Sequence, residues 1–169
     1  IDSLPLLTNR IIHRAELVME QVPGDPINDG YFTVPNLFLT PYNTDSMRRF
    51  ALPYDVVTSG GAVVNQLTYG CIPVKKIDPT TQQTIYAYAF DITRYAQGVI
   101  TRHEEAFPLI LYAPSNDFIY ATKTSLYNNI YTGSSSGPLN APAIGRVRLG
   151  GGNNTHHKMR LRIVYSDIK

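Results

Sequence analysis

Alternating apolar and polar residues recur along this chain and predict β-strands. In the segment IIHRAELVMEQV (11–22), one face of the predicted strand carries Ile11, His13, Ala15, Leu17 and Met19, and the other carries Arg14, Glu16 and Glu20. A period of two residues is typical of a strand with one buried face. Short apolar or alternating runs bounded by turn residues predict further strands at 35–43, 46–57, 85–92, 107–114 and 118–124, and one or two strands at 62–77.

Three positions within these segments predict where a strand lies or bends. The segment PNLFLTPYN (35–43) is bounded by prolines, which lack an amide hydrogen, so this strand is expected near a sheet edge. The segment FPLILYAP (107–114) is a continuous apolar run, which predicts a central strand covered on both faces. Gly70 is predicted to mark a bulge or a bend.

One segment follows a helical period instead. In DITRYAQGVITRHEE (91–105), apolar residues recur at spacings of three and four. These residues are Ile92, Tyr95, Ala96, Val99 and Ile100. The spacing predicts one short helix at about 92–102 that packs on the core through one face. Asp91 or Thr93 is expected to accept hydrogen bonds from the free amides of its first turn.

The segment RVRLGGGNNTHHKMRLRIVY (146–165) is predicted to form a β-hairpin. Two alternating stretches flank a loop rich in Gly and Asn, which tolerate the positive φ angles of turns. The outer face of this hairpin would carry Arg146, Arg148, Arg160 and Arg162. Such a row is either a basic stripe that binds an anion or a solvated face that protects the sheet from edge-to-edge association.

The same segment does not fit a phosphate loop or a metal site. A P-loop requires GxxxxGK[ST] and a dinucleotide loop requires GxGxxG entering a helix, and GGGNNTHHKM matches neither pattern. His156 and His157 are adjacent, so in a strand they would point to opposite faces and could not easily share an ion. We therefore predict neither site here.

Composition indicates one folded domain spanning 1–169. The chain has 169 residues, of which 43% are hydrophobic and 17% are charged, and this balance is globular. The formal net charge of +2 argues against a nucleic-acid-binding protein. Cys71 is the only cysteine, so no intrachain disulfide forms, and its apolar surroundings predict a buried, unreactive thiol.

Candidate catalytic groups are few. Glu104 and Glu105 are adjacent carboxylates at the end of the predicted helix, where water is expected to surround them. The sequence contains no GxSxG nucleophile motif. We therefore predict a protein that is not an enzyme, with a hydrolase as the remaining alternative.

Several short motifs, in their order along the chain, resemble those of jelly-roll domains of the DNRLRE type. These domains have an opening A-x-L strand, a DVT turn into a short helix, an apolar G-x-x-L strand and a closing P-x-L-x-V-x-Y strand. The Gly of the third element and the Pro of the fourth are missing from this chain. The matching residues are Ala15, Leu17, Asp91, Ile92, Thr93, Leu109, Leu111, Leu161, Ile163 and Tyr165. The segments 90–112 and 146–165 also resemble a family of Bacteroidetes surface lipoproteins of unknown function. This likeness covers about half of the chain and is densest in these two segments.

The predicted fold is an all-β jelly-roll sandwich of two antiparallel sheets with one short helix. Two stacked sheets bury the apolar faces of alternating strands, and the resemblance adds the jelly-roll topology. The resemblance also implies that the chain is the C-terminal part of a longer exported lipoprotein. Its expected location is the cell envelope, at the outer-membrane surface or in the periplasm. Membrane contact is then expected only through a removed N-terminal lipid anchor.

Two binding functions are compatible with this fold, of which the first is the predicted function and the second is the alternative. The first is binding of a glycan or another envelope component, in which Tyr42, Tyr127 and Tyr131 stack on sugar rings and the four arginines act as further ligands. The second is a structural or adhesion role, with protein partners bound through loops or an exposed edge. No cofactor is predicted. A structural calcium ion stays an open alternative, although no cluster of aspartates marks a site.

Overall fold

The computed structural model describes residues 10–24, 34–50, 52, 58–59, 62–63, 70–112, 118–119, 130–131 and 145–167. Within them the protein is mostly antiparallel strands with a single short helix. Two main sheets contribute to a common core, so the predicted all-β sandwich is confirmed. The jelly-roll topology stays a prediction.

Most elements in this part of the chain are short strands, and the helix lies near the middle of the sequence. The strands are β1 Arg10–Glu20, β2 Phe38–Asn43, β3 Arg48–Arg49, β4 Thr58–Ser59, β5 Ala62–Val63, β6 Val74–Ile77, β7 Thr84–Asp91, β8 Leu109–Tyr112, β9 Phe118–Ile119, β10 Ile130–Tyr131 and β11 Arg160–Asp167. The helix α1 spans Thr93–Thr101. The larger sheet has the order β11-β1-β7-β6, the smaller has the order β3-β2-β8, and β4-β5 and β9-β10 form short separate pairs.

The core lies between the two main sheets. Tyr88 and Phe90 of β7 are fully buried, and their rings are parallel, with centroids 6.1 Å apart. Leu39 of β2 is buried in the same cluster. The hydroxyl of Tyr88 donates a hydrogen bond of 2.5 Å to the carbonyl of Pro35, just before β2. This bond satisfies the buried hydroxyl and links the larger sheet to the segment that leads into the smaller one.

A bulge in β1 changes which residues face the core. Ala15 and Met19 are buried, as the alternation predicts, but Ile11 is exposed and Ile12 is buried in its place. Opposite β11, Ile12 pairs with Tyr165 and Arg14 pairs with Val164, so His13 is an extra residue. One extra residue reverses the faces before it. The face predicted from the sequence is therefore right from Ala15 onward and wrong for Ile11 and His13.

The predicted helix is confirmed at 93–101, and all five residues of its apolar stripe are buried. The carboxylate of Asp91 accepts a bond of 2.9 Å from the amide of Thr93 in the first turn, as expected. Thr93 and Gln97 instead accept bonds of 2.9 and 2.8 Å from the amides of Ala15 and Ile12. These side chains therefore satisfy β1 amides beyond the end of β7.

The positions predicted for two strands are exchanged in the smaller sheet. β2 lies between β3 and β8, and residues 38–41 are buried, so the predicted edge position is wrong. Pro41 is tolerated because its carbonyl still accepts a bond of 2.9 Å from the amide of Phe50. β8 is half-buried and is the last of the strands described in this sheet, so its predicted central position is also wrong.

The bend predicted at Gly70 is present. Gly70 has a φ of +87°, and an added Cβ would lie 1.9 Å from the carbonyl oxygen of Ala89 in β7. Only glycine can both adopt this angle and leave room for the strand. The following residue, Cys71, is fully buried, and burial raises the pKa of its thiol to about 11. The prediction of a buried thiol is confirmed.

The predicted hairpin at 146–165 is wrong. Leu149 bridges Gln21, and β11 pairs with residues 10–18 of β1, so both stretches pair with the same edge of β1. They follow one another along that edge instead of pairing with each other. Between the pair Gln21–Leu149 and the pair Val18–Arg160, one strand advances by three residues and the other by eleven. Eight residues are therefore inserted in the second strand. The glycine-rich segment therefore forms a loop inserted in one interrupted edge strand, because β1 supplies the hydrogen-bond partners for both stretches.

Candidate interaction surface along the edge strand

The eight inserted residues lie within the segment 151–159, the inserted loop, which is closed at its neck. The amide of Gly150 donates a bond of 3.0 Å to the carbonyl of Glu20, and the amide of Met159 donates a bond of 3.3 Å to the carbonyl of Gly151. Within the loop, the side-chain oxygen of Asn154 accepts bonds of 3.0 and 2.7 Å from the amides of His156 and His157. The loop thus has its own hydrogen-bond framework, which brings His157 back over the sheet.

Gly150 is required by space and not by its φ angle. A Cβ at this position would lie 1.7 Å from the carbonyl oxygen of His157 and 2.6 Å from its carbonyl carbon. Among the glycines in the described part of the chain, only Gly70 has a positive φ. The positive φ angle expected for the glycine run is therefore not the reason that residue 150 is a glycine. The loop backbone packs directly on it.

The loop covers a buried carboxylate, Glu20, on the outer face of the larger sheet. One oxygen of Glu20 accepts hydrogen bonds of 2.6 Å from Lys76 of β6 and 2.9 Å from Arg160 of β11. The other oxygen lies 3.8 Å from Nδ1 of His157, too far for a hydrogen bond. The side chains of Glu20 and His157 are each 8% exposed. Glu20 thus joins three strands and the loop through charge.

The surroundings of Glu20 favour its ionised form. Burial by itself raises the pKa of this carboxyl, but the hydrogen bond and charge of Lys76 lower it, as do the charges of Arg160 and His157. The net result is a pKa below the ordinary value. Because the cations are about half exposed, they reach water as well as the carboxylate. The cluster is therefore an ion-pair network that fixes the loop and the strands.

This network predicts that Glu20 makes folding sensitive to acid. Its pKa is lower in the folded protein than in the unfolded chain, so its contribution is complete above about pH 4.5, the unfolded value, and is lost as the pH falls through the folded value. The measurement is the free energy of unfolding by urea, determined at several pH values from neutral to acid, for the wild-type protein and for Glu20→Gln. We expect the variant to lose less stability on acidification.

The control for this experiment is Glu104→Gln. Glu104 also pairs with an arginine, Arg102, but both side chains are about half exposed. Its substitution is expected to leave the pH dependence of stability unchanged, since exposed pairs contribute little. Equal pH dependence in wild type and Glu20→Gln would contradict the role assigned to Glu20.

A second carboxylate, Glu16, lies along the same face of β1. Its oxygens contact Arg14 at 2.6 Å and Arg162 of β11 at 3.5 Å. The side chain of Glu16 is 9% exposed, and those of the two arginines are each 64% exposed. Arg160 and Arg162 are therefore each matched by a carboxylate of the neighbouring strand. This arrangement reduces the excess positive charge that an isolated arginine stripe would have.

Among the described strands, β11 is the outermost of the larger sheet, and its side that faces away from β1 is called the open edge. The amide of Gln21 donates to Tyr86 in β7, whereas the carbonyl of Glu20 accepts from the opposite side. From Arg14 to Glu20, after the bulge, the even-numbered residues of β1 therefore direct their backbone groups towards β11, where Glu16 and Val18 pair with Arg162 and Arg160. The residues of β11 that alternate with Arg160 and Arg162 direct their backbone amides and carbonyls away from the sheet. They are Leu161, Ile163 and Tyr165, and no other described strand pairs with them.

The side chains of these same residues make the open edge apolar on its inner face. Leu161 is 37% exposed and Tyr165 is 43% exposed, while Ile163 between them packs partly against the core. Arg10 stacks on the ring of Tyr165, with 4.4 Å from its guanidinium carbon to the ring centroid. A protected edge usually carries an inward-pointing charge. The inner face of β11 has none from residue 161 to residue 165.

The residues predicted as ligand contacts lie in several separate parts of the described chain, and one lies outside it. Arg160 and Arg162 lie on the outer face of β11, and Arg146 and Arg148 are exposed in the stretch that precedes the inserted loop. Tyr42 is half-buried in β2, in the smaller sheet. Tyr131 is in β10, of which only the backbone is described, and Tyr127 lies outside the described residues. The tyrosines and arginines therefore do not form one described site.

The features that the sequence did not point to are the open edge and the Glu20 cluster. A weak signal for the edge is present, because every second residue from 161 to 165 is apolar and uncharged. The sequence does not reveal which strand has an unpaired side. In the described part of the chain, no group of histidine, cysteine or acidic residues could hold a metal ion, and no helix is long and apolar enough to cross a membrane.

Comparison with known proteins gives no relative on which to base an assignment. No family model, no curated protein and no solved structure matches this chain.

Proposed function

We propose that this domain is a non-catalytic protein-binding module whose partner adds a strand beside β11. The observation that carries this proposal is the open edge from Leu161 to Tyr165, where three amides and three carbonyls point away from the sheet. Strand addition supplies main-chain hydrogen bonds for affinity and side-chain contacts for specificity. The exposed Leu161 and Tyr165 provide those contacts on the inner face.

The arrangement around the edge supports a role in binding. The inserted loop is closed over Glu20 and ends at Met159, whose amide already donates to Gly151. In the described part of the chain, the outward backbone groups of this edge are therefore unpaired only after Met159, from Leu161 onward. On the outer face, Glu20 and Glu16 hold Arg160 and Arg162 next to β1, which leaves the approach to the backbone open. This function is the adhesion or assembly role anticipated from the sequence. Glycan binding and an envelope location stay predictions.

The test is a selection of short displayed peptides of random sequence against the purified protein. Selected peptides should protect the amides of Leu161, Ile163 and Tyr165 from hydrogen exchange. They should also bind about tenfold or more weakly to Ile163→Pro, which removes an outward amide and places a ring in the path of the added strand. Because this amide does not pair with β1, the ladder between β1 and β11 remains intact.

Ile163→Val is the matched control. It shortens the same side chain by one methyl group and keeps the amide, so peptide affinity should change by less than about threefold. The proposal fails if no peptide is selected, or if selected peptides leave these three amides unprotected. It also fails if peptides bind Ile163→Pro as tightly as wild type.

A further inference from the structure

Resting on the proposed function, we infer that the strand that β11 accepts is β11 of a second copy of this chain. The two copies would pair about a two-fold axis through Ile163, perpendicular to the sheet. Each contributes four strands, so the product is one continuous sheet of eight strands, four from each copy. The inference depends on the direction of backbone groups, the identity of the facing side chains and the charges.

The backbone of β11 is complementary to itself. A two-fold axis perpendicular to the sheet pairs each residue with one whose side chain lies on the same face. Because faces alternate along a strand, odd-numbered residues must pair with odd-numbered ones and even-numbered with even-numbered ones. In the pairing centred on Ile163, Leu161 faces Tyr165 of the other copy. The outward-pointing residues of β11 are these three and Asp167. The amides and carbonyls of Leu161, Ile163 and Tyr165 in both copies therefore meet partners in the antiparallel hydrogen-bonding pattern. Asp167 would face Met159, whose amide already donates to Gly151, so the pairing ends there.

The side chains fit the same register. On the inner face, each exposed Leu161 would pack against the exposed Tyr165 of the other copy, and the two Ile163 side chains would meet on the axis. Aromatic and branched apolar pairs opposite each other stabilise antiparallel strands. A register shifted by one residue in each copy, centred on Val164, would instead place Leu161 opposite Asp167. The pairing centred on Ile163 is therefore preferred.

The charges permit a second copy and do not call for an acidic partner. On the outer face, Arg160 would lie opposite Ser166 and Arg162 opposite Val164, so no two like charges are directly opposed. Both arginines already contact a carboxylate of their own copy, Glu20 and Glu16. A contact made by one short strand is small, so the dimer is expected to be weak and to depend on concentration.

Sedimentation of the protein over micromolar to millimolar concentrations tests the inference. The apparent mass should rise towards twice that of the monomer for wild type and for Ile163→Val. It should stay that of the monomer for Ile163→Pro. A monomer at all concentrations overturns the second-copy inference, and if displayed peptides still protect the edge amides, the proposed function stands without it. Dimerisation of Ile163→Pro equal to wild type places the contact elsewhere and overturns the inference.

Cysteine cross-linking tests the register without using proline. Across the axis, Ile163→Cys would have its two Cα atoms about 5.5 Å apart, within reach of a disulfide. Val164→Cys would be separated by about 8 Å and Leu161→Cys by about 14 Å, both too far. The native Cys71 is fully buried and should not interfere. Efficient cross-linking of Ile163→Cys alone is expected. Preferential cross-linking of Val164→Cys or Leu161→Cys overturns the pairing centred on Ile163.

Discussion

Replacing Gly150 with alanine is expected to destabilise the protein by about 2–3 kcal/mol. The new methyl group would lie 1.7 Å from the carbonyl oxygen of His157, so the loop backbone has to move off the sheet. That displacement takes His157 away from Glu20 and exposes the carboxylate that links Lys76 with Arg160. Urea unfolding at neutral pH measures the loss.

Gly151→Ala is the control for this prediction. Gly151 is the next residue in the same loop, and an added Cβ there meets nothing within 4 Å. Its free energy of unfolding is expected to stay within about 0.5 kcal/mol of wild type. If both variants lost equal stability, the cause would be the backbone flexibility of the glycine run and not the close approach of His157 to Gly150.

Phe90→Ala is expected to cost about 3–5 kcal/mol and to lower the melting temperature by roughly 10 °C. The ring is fully buried between Tyr88 and the apolar cluster, so its removal leaves a cavity in the centre of the sandwich. Phe90 also pairs with Leu17 of β1, the strand to which β11 is bound. The loss should therefore be accompanied by faster hydrogen exchange of the β1 amides. Calorimetry measures the melting temperature, and hydrogen exchange measures the opening of the β1 amides.

Tyr165→Ala provides a comparison on the same face of the same sheet. Tyr165 is 43% exposed, and its ring stacks with Arg10. Removing it is expected to cost about 1 kcal/mol or less, since little apolar area is uncovered and no closed cavity forms. A loss similar to that of Phe90→Ala would show that the edge strand is covered in solution, which would contradict the open edge.

The helix and the inward-facing residues of several strands could be predicted from the sequence because they depend on local periodicity. The stripe from Ile92 to Ile100 is buried as its spacing indicates. The alternation in 160–165 places Arg160 and Arg162 on the outer face, as it predicts. These results follow from the fixed periods of helix and strand, which a short stretch of sequence is sufficient to display.

Pairing between strands could not be predicted in the same way. The bulge at His13 reverses the faces of the residues before it, yet nothing in the alternation of IIHRAE marks an extra residue. Pro41 was expected to keep β2 at an edge, but only its amide is missing, and its carbonyl accepts a bond from Phe50. The bulge depends on pairing with β11, and the central position of β2 depends on pairing with β8. Both partners are distant in sequence, and local preference does not determine which partner is available.

The sequence by itself determined that this protein is built from alternating strands with one short amphipathic helix, because burial of every second apolar residue is dictated by the strand period. Only the tertiary structure decided that residues 148–150 and β11 share one edge of β1, that the glycine-rich loop closes over Glu20, and that no described strand pairs with the outer side of β11. The physical reason is that every strand has hydrogen-bonding groups on two edges, and its own sequence does not specify which strands pair with them. Which edge is filled depends on segments far away along the chain.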